Sequence, residues 1–243
     1  MNFDFARVFE QLTPLLWQGL YYTLYVSFVS IVAGMIVGLI SCFMIISRYR
    51  ILRILSGTFV WVIRGTPMLV QAMFFFFGVP QVLRMVVPGI NETLTEILPF
   101  AVNIPMLFTP VQAGILTVAL NAGAYFTEIF RAGINAVDKG QNEAARSLGL
   151  TQWKTMYKVI LPQALRISLP PSVNQWIISV KDTSLLSAIG VGELMQQTRI
   201  YAGRTMINFE SFIYVALWYL AILSVLMILA KKLETWVTYD RKN

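Results

Sequence analysis

The chain has 243 residues, of which 57% are hydrophobic and 13% charged, and its formal net charge is +7. A soluble domain carries roughly 25% charged residues, so this composition excludes an ordinary soluble protein. It indicates an integral membrane protein with one domain, residues 1–243. The absence of histidine removes the commonest proton shuttle and metal ligand, and the single cysteine excludes an intrachain disulfide.

The first three apolar stretches predict membrane-spanning helices over about 15–46, 51–82 and 109–130, since a crossing needs about 20 residues. In the first, the spacing of Gly34 and Gly38 favours close contact with another helix. The second would begin as an interfacial helix and bend at Pro67. The third begins with Thr109-Pro110, an N-cap followed by a first-turn proline.

Two further stretches predict spans over about 167–189 and 212–230, which makes about five in total. Basic residues in the connections orient them, because cytoplasmic loops are enriched in Lys and Arg. One side carries only Arg7, Arg84, Arg199 and Arg204, which places the N-terminus outside and the C-terminus in the cytoplasm. The connection 85–108 is then an external loop that dips back onto the membrane. The cytoplasmic side carries Arg48, Arg50, Arg53, Arg131, Lys139, Arg146, Lys154, Lys158, Arg166, Lys231, Lys232, Arg241 and Lys242.

The cytoplasmic connection 137–162 predicts a pair of short helices. Asn142 is expected to cap the first helix, and Gly149 to end it in the left-handed conformation. Thr151 is expected to cap the second, and Pro162 to end it. Apolar side chains in the second recur at helical spacing and predict a single stripe: Trp153, Met156, Tyr157 and Ile160.

Three interpretations of this helix pair compete on the residues alone. It is an interfacial amphipathic connector, a DNA-reading helix-turn-helix, or a docking element for a partner protein. The second is disfavoured because the pair lies between spans and has no third helix. The remaining two stay open at this point.

The sequence from Glu143 to Pro162 has the pattern E-A-A-x3-G-x9-V-x-L-P and resembles the EAA loop of ABC importer permeases. Four further blocks resemble the polar amino-acid branch of that family, the histidine, glutamine and arginine type. They are R-G-T-P-M-L-V-Q (64–71), G-A-Y-F-T-E-I-F-R-A-G-I (123–134), G-Q-N-E-A-A (140–145) and K-D-T-S-L-L-S (181–187). The resemblance extends over about 15–235. The chain departs from the family pattern at Val159, where isoleucine is more usual, and in the long 85–108 connection.

The resemblance implies an all-α, type I importer-like permease in a bacterial cytoplasmic (inner) membrane. Such a subunit pairs as a homo- or heterodimer, receives an amino acid from an extracytoplasmic binding protein, and couples to cytoplasmic ATPases. The chain has no P-loop pattern, so ATP and magnesium are expected on the partner ATPase, and the chain is neither an enzyme nor a cofactor-binding protein. The resemblance assigns contact with the ATPase to Glu143, Ala144, Ala145, Gly149, Leu161 and Pro162.

Polar groups inside the predicted spans are expensive to bury and are candidates for a substrate pathway. Asp182 is expected to accept the ammonium group of an amino acid, while backbone N–H groups at Gly65 and Thr66 donate to its carboxylate. Neutral hydrogen bonds are expected from Asn121 and Tyr125. The competing interpretation is mutual neutralisation, in which Lys181 or Arg64 pairs with Asp182 or Glu128. Glu128 and Arg131, at i, i+3 on one helix, are expected to form a plain interfacial pair.

A rival function is an ion-driven secondary transporter or channel, with Glu128 or Asp182 as the coupling acid. Such a protein has no need of the helix pair, and the chain lacks the two inverted halves that many secondary transporters show. The residues do not fix the cargo, although Asp182 and Glu128 favour polar or cationic amino acids.

Overall fold

The computed structural model describes residues 4–86 and 108–239, and α-helix dominates both ranges, which confirms the all-α membrane fold. The 85–108 connection therefore lies almost wholly outside the described residues. In chain order the α-helices are α1 (Phe5–Ile45), α2 (Arg50–Gly65), α3 (Met68–Met73), α4 (Val79–Val86), α5 (Pro110–Asn135), α6 (Lys139–Ser147), α7 (Gln152–Thr155), α8 (Leu161–Asp182), α9 (Leu194–Thr205) and α10 (Asn208–Tyr239). Two π-helical segments, Phe74–Gly78 and Met156–Ile160, and the 3-10 segment Thr183–Ile189 join neighbouring helices.

The predicted bend at Pro67 is confirmed. Helix α2 ends at Gly65 and α3 begins at Met68, and the two arms meet at 106°. Pro67 occupies the N-cap with extended backbone, φ −63° and ψ 137°. The Gln71 side chain supports the break, since its Nε2 donates to the carbonyl and to Oγ1 of Thr66 at 3.0 and 2.8 Å.

The predicted start of the third span is also confirmed. The Gln112 amide donates to Thr109 Oγ1 at 3.3 Å, and Gln112 Oε1 accepts from the Thr109 amide at 2.9 Å. This reciprocal pair is a capping box, which satisfies two of the amides that a helix start leaves without partners. The capping box fixes the residue at which α5 begins, Pro110.

Three helices of the described residues, α1, α5 and α10, are long and apolar enough to cross a membrane, and the bent pair α2–α3/α4 makes a fourth if its arms form one span. Helix α8 contains most of the predicted fourth span, but it is not apolar enough to be counted with these helices. Its polar side chains are turned inward, since Ser168, Ser172 and Ser179 are all buried. Membrane crossing by 167–189, and with it the count of five spans, stays a prediction.

The contacts divide the chain into two compact units, whose boundaries fall inside α1, α2, α5, α8 and α10. Unit 1 consists of Met1–Ser30, Gly65–Ala119 and Val180–Tyr219. Its core includes Val26, Met68, Ala72, Ala113, Val118, Leu186, Ile189 and Val191.

Unit 2 consists of Ile31–Arg64, Leu120–Ser179 and Leu220–Asn243. Its glycines allow α1 and α5 to touch backbone to backbone. A Cβ added to Gly38 would lie 2.9 Å from the carbonyl oxygen of Gly123, and one added to Gly123 would lie 3.4 Å from that of Gly34. The predicted close packing at Gly34 and Gly38 is thus confirmed.

Candidate functional site

The helix pair (Val137–Pro162) begins one turn earlier than its sequence predicted. Asp138 caps α6, and its Oδ1 accepts from the Gly140 amide at 2.6 Å. The expectation that Asn142 caps this helix is wrong, because Asn142 lies inside α6 and lines a cavity of about 230 Å³ beneath it. Asp138 lies three residues after the end of α5 at Asn135, directly before the first residue of α6.

The predicted end of α6 at Gly149 is confirmed. Gly149 has φ +79°, its amide donates to the Arg146 carbonyl at 3.0 Å, and the Leu150 amide donates to the Ala145 carbonyl at 3.2 Å. These two bonds are the Schellman motif, which satisfies the last carbonyls of a helix and needs a left-handed residue. Glycine adopts that conformation without the steric cost of a Cβ.

The predicted cap of the second helix is confirmed, since Thr151 Oγ1 accepts from the Lys154 amide at 3.4 Å. The predicted single apolar stripe is wrong. The π-helical segment Met156–Ile160 adds a residue to one turn and separates the stripe into two parts. Trp153 and Tyr157 are 73% and 63% exposed, whereas Ile160 is buried.

The expectation that Pro162 ends the second helix is also wrong. Helical backbone continues from Gln152 to Asp182, and Pro162 lies in the first turn of α8. An interior proline removes one backbone bond and clashes with the carbonyl four residues earlier. Here the wider π turn comes directly before it, with the Leu161 amide donating five residues back to Met156.

The helix pair is anchored on its inner side only. Val137, Ile160 and Ala164 form a buried apolar cluster against which Ile134 and Met156 pack. Helix α6 in turn contacts α7 and the π-helical segment that follows it. The pair is therefore a fixed unit at the ends of α5 and α8.

The outer side of the pair carries most of the residues assigned to ATPase contact. Glu143, Ala144 and Gly149 are exposed, and Leu148 beside them is 84% exposed. Ala145 is buried at 4% exposure, so it packs within the pair rather than on its surface. Leu161 is half-buried and Pro162 is exposed. The pair thus presents a small, partly apolar surface with one carboxylate, which suits docking better than catalysis.

The substrate-pathway residues are divided between the two units. Gly65, Thr66, Lys181 and Asp182 belong to unit 1. Gly65 and Thr66 lie at the break between α2 and α3, as predicted, and Lys181 and Asp182 form the last turn of α8. Lys181 is exposed and Asp182 half-buried.

Asn121 and Tyr125 lie one turn apart on α5 in unit 2. Asn121 is 8% exposed and Tyr125 is 37% exposed, with the guanidinium of Arg64 lying 5.1 Å from the centre of its ring. A cation over an aromatic face contributes about 0.5–1 kcal/mol at exposed sites.

The predicted pair of Glu128 and Arg131 is confirmed, at 2.5 Å between Oε2 and Nη2. Glu128 therefore has its countercharge on its own helix, and the alternative pairing of Arg64 with Glu128 does not form. Within the described part of unit 1 no ion pair joins Lys181 to Asp182. Of the proposed pairs within the described part of unit 2, the Glu128–Arg131 pair at i, i+3 is the one that forms.

The structure contains a fully buried carboxylate, Glu193, that was not predicted from the sequence. Glu193 is fully buried and caps α9, accepting from the amides of Met195 and Gln196 at 2.9 and 2.7 Å. The Tyr219 hydroxyl on α10 donates to its Oε2 at 2.7 Å. Glu193 lies between the predicted fourth and fifth spans, and burial raises the pKa of its carboxyl although these donors oppose the shift. Its only sequence signal is an acidic residue directly before a helix.

The chain has clear relatives among known proteins. The family model described as binding-protein-dependent transport system inner membrane component matches residues 30–239. The chain belongs to this family. Its members are permease subunits of ABC importers, so the chain is a multi-pass subunit of the inner membrane, and ATP is hydrolysed on a separate subunit.

Individual relatives match this chain over most of its length. The glutamine transport system permease protein of Escherichia coli (strain K12) is 37% identical over 234 residues, 96% of this chain and 97% of the relative. The L-cystine transport system permease protein of Bacillus subtilis (strain 168) is 38% identical over 193 residues, 79% of this chain and 73% of the relative. A crystal structure of an amino acid ABC transporter with histidines matches with TM-score 0.83 and 34% identity, over 97% of this chain and 99% of that one.

Membership in this family decides between the functions that the sequence left open. The ABC importer permease is confirmed, and the ion-driven secondary transporter is not supported. Family membership also implies two kinds of partner, an ATPase and a substrate-binding protein.

Proposed function

We propose that the helix pair (Val137–Pro162) is the element through which the separate ATPase drives this permease. The observation that carries the proposal is the exposure of Glu143 and Ala144 on a helix whose other side is fixed to α5 and α8. A surface that transmits force must be rigid on the inside and free on the outside. Small side chains at its centre allow a partner backbone to approach closely, and Glu143 offers a carboxylate to a basic partner.

The proposal is tested by reversing that charge. Glu143→Lys should abolish ATP-dependent uptake and reduce co-purification of the ATPase, because a desolvated charge pair becomes a repulsion worth several kcal/mol. The protein should stay inserted at normal abundance, since Glu143 makes no contact that holds the fold. The control is Gln141→Lys, which introduces a lysine two residues away on the same exposed helix without removing a carboxylate. Normal uptake in Glu143→Lys, or equal loss in both variants, would overturn the proposal.

We infer that the cargo is a polar amino acid, as the names of the relatives and the half-buried Asp182 suggest. Glu128 is already paired with Arg131, so Asp182 is the better acceptor for a substrate ammonium. Asp182→Asn should raise the KM of uptake at least tenfold without lowering the amount of assembled transporter. Uptake of labelled glutamine, arginine and cystine, each measured in both proteins, identifies the cargo and checks the effect.

We also propose that two permease subunits assemble around the cargo path. The support is the resemblance to ABC importer permeases, which pair as dimers, so that Asp182 and the helix pair would each occur twice in a homodimer. Co-purification of an untagged copy of this chain with a tagged copy distinguishes a homodimer from a heterodimer with a second permease.

A further inference from the structure

The turn between α1 and α2 carries a group of cations that the coupling and transport functions do not use. Arg48, Arg50 and Arg53 lie within six residues, and all three are exposed. Among the described residues no carboxylate pairs with any of them. Three unpaired guanidinium groups so close together repel one another unless an anion lies between them.

Hydrogen bonds hold the backbone of this turn and the side chain of Arg48. The Tyr49 amide donates to Ser47 Oγ at 3.2 Å, and the Arg53 amide donates to the Tyr49 carbonyl at 3.3 Å. Arg48 Nη2 donates to the Tyr49 hydroxyl at 2.9 Å, and its guanidinium lies 4.9 Å from the centre of that ring.

Helix α2 is itself fixed against α1. The hydroxyl groups of Ser41 and Ser56 are 2.7 Å apart in a buried contact, and Ser56 Oγ also lies 2.8 Å from the Ser41 carbonyl oxygen. The backbone that carries the three arginines and the Arg48 side chain are therefore ordered before any ligand arrives, which lowers the entropic cost of binding.

The rest of α2 presents a second, apolar surface beside these cations. At 3.6 residues per turn, the side chains that pack inward lie on one face, Ser56, Val60 and Ile63. The opposite face is exposed and apolar, with Ile51 73%, Leu55 55% and Trp61 76% exposed. Arg50 and Arg53, at i, i+3, form the flank between the two. A helix with exposed apolar and basic faces side by side is typical of a membrane interface.

We propose that the α1–α2 turn and the outer face of α2 bind anionic phospholipids of the cytoplasmic leaflet. The phosphate lies among Arg48, Arg50 and Arg53, and the acyl chains cover Ile51, Leu55 and Trp61. Guanidinium groups bind phosphate oxygens in bidentate geometry, and the adjoining apolar face favours a lipid over a free anion. The proposal depends on the predicted orientation, which places this turn in the cytoplasm, and not on the role of the helix pair.

The test measures thermal unfolding of the full chain in detergent micelles, followed by the fluorescence of its six tryptophans. Addition of phosphatidylglycerol should raise the midpoint, while phosphatidylcholine with the same chains and inorganic phosphate should not. In Arg50→Gln/Arg53→Gln the phosphatidylglycerol concentration for half the effect should rise roughly 25-fold, since each basic residue at an anionic surface contributes about 1 kcal/mol, a factor of about five.

The matched control is Lys231→Gln/Lys232→Gln, which removes two exposed cations from the same side of the membrane and should respond like wild type. An equal response to phosphatidylcholine would assign α2 to apolar contact alone, and an equal response to inorganic phosphate would assign the arginines to free anions. Either result overturns the proposal, as does a double-arginine variant that responds like wild type. If that variant cannot be purified, the three additions to the wild-type protein decide the question.

Discussion

The helix pair and the segment Thr183–Leu194, which we call the elbow, are built from the same backbone device. In each, a Schellman motif with a left-handed glycine ends one helical segment, and a side-chain cap starts the next. Gly149 has φ +79° and Gly190 has φ +86°. The amides of Gly190 and Val191 donate to the Ser187 and Leu186 carbonyls at 3.1 and 3.2 Å, which repeats the pattern at Gly149.

The surroundings of the two turns are opposite. Leu148, which precedes Gly149, is 84% exposed, whereas Ile189, which precedes Gly190, is 4% exposed. The cap of the elbow is a fully buried glutamate, while the cap of the second helix of the pair is the exposed Thr151. Burial therefore distinguishes the Gly149 turn, which we propose contacts the ATPase, from the Gly190 turn, which packs inside its own unit, although the local sequence signals are alike.

The elbow is also attached to α1 within unit 1. The Leu194 amide donates to Thr23 Oγ1 at 3.3 Å, and a Cβ added to Gly19 would lie 2.9 Å from Leu194 Cα. Because the Tyr219 hydroxyl of α10 donates to Glu193, three helices of this unit, α1, α9 and α10, meet at the neighbouring residues Glu193 and Leu194. The helix pair has no comparable polar centre among its described contacts.

The two regions should differ most in stability when their carboxylates, Glu193 in the elbow and Glu143 in the helix pair, are each replaced by alanine. Glu193→Ala leaves the amides of Met195 and Gln196 and the Tyr219 hydroxyl without their acceptor, each at about 1–3 kcal/mol. It should lower the yield of folded protein severely, whereas Glu143→Ala should leave the unfolding midpoint unchanged. Thermal unfolding and size-exclusion profiles in detergent check both. A stable Glu193→Ala protein would mean that the elbow is not fixed by this group.

Replacing Gly149 or Gly190 by alanine should have a smaller effect on stability, and it separates loss of stability from loss of ATPase binding. An added Cβ meets nothing within 4 Å at Gly149 or at Gly190, so alanine costs only backbone strain, about 1–2 kcal/mol at either position. Both variants should lose similar stability, but only Gly149→Ala should weaken association with the ATPase. Gly203→Ala is the control, because Gly203 is in open space and helical. Equal loss of association in Gly149→Ala and Gly190→Ala would remove the distinction between the two turns.

The smallest effect is expected at the exposed cap. Thr151→Ala should destabilise the start of α7 by about 1 kcal/mol, the usual cost of losing an N-cap hydroxyl. Thr151→Ser should restore it, because serine offers the same oxygen. Hydrogen exchange of the Lys154 amide measures this local opening directly, and unchanged exchange in Thr151→Ala would show that the 3.4 Å contact contributes nothing.

The features that the sequence predicted correctly depend on neighbouring residues. The bend at Pro67, the start at Thr109-Pro110 and the turn at Gly149 each follow from the conformational limits of one or two residues. The pair of Glu128 and Arg131 likewise needs only helical spacing. Each of these features is determined by the conformational preference or spacing of one or two residues, and so it can be predicted from the local sequence.

Three features of the structure were not predicted from the sequence: the burial of Glu193, the cap of α6 and the π-helical segment after Thr155. Glu193 accepts from Tyr219, 26 residues later, and no residue near Glu193 indicates that it is buried. The cap of α6 is Asp138 and not Asn142, although both residue types commonly cap helices. The π-helical segment after Thr155 shifted the apolar stripe and let the helix continue through Pro162. Backbone insertions of this kind leave no periodic signal in the sequence.

Site-directed crosslinking tests the role of the helix pair most directly. Cys42 is the single cysteine and is buried, so a Cys42→Ser background accepts one new thiol at a time. In cells that express the whole importer, Ala144→Cys labelled with a maleimide–benzophenone reagent should crosslink to the ATPase subunit on illumination. Gly203→Cys, on the side predicted to face outward, should not. Absence of the ATPase from the Ala144 product, or its presence in both, would contradict coupling through this pair.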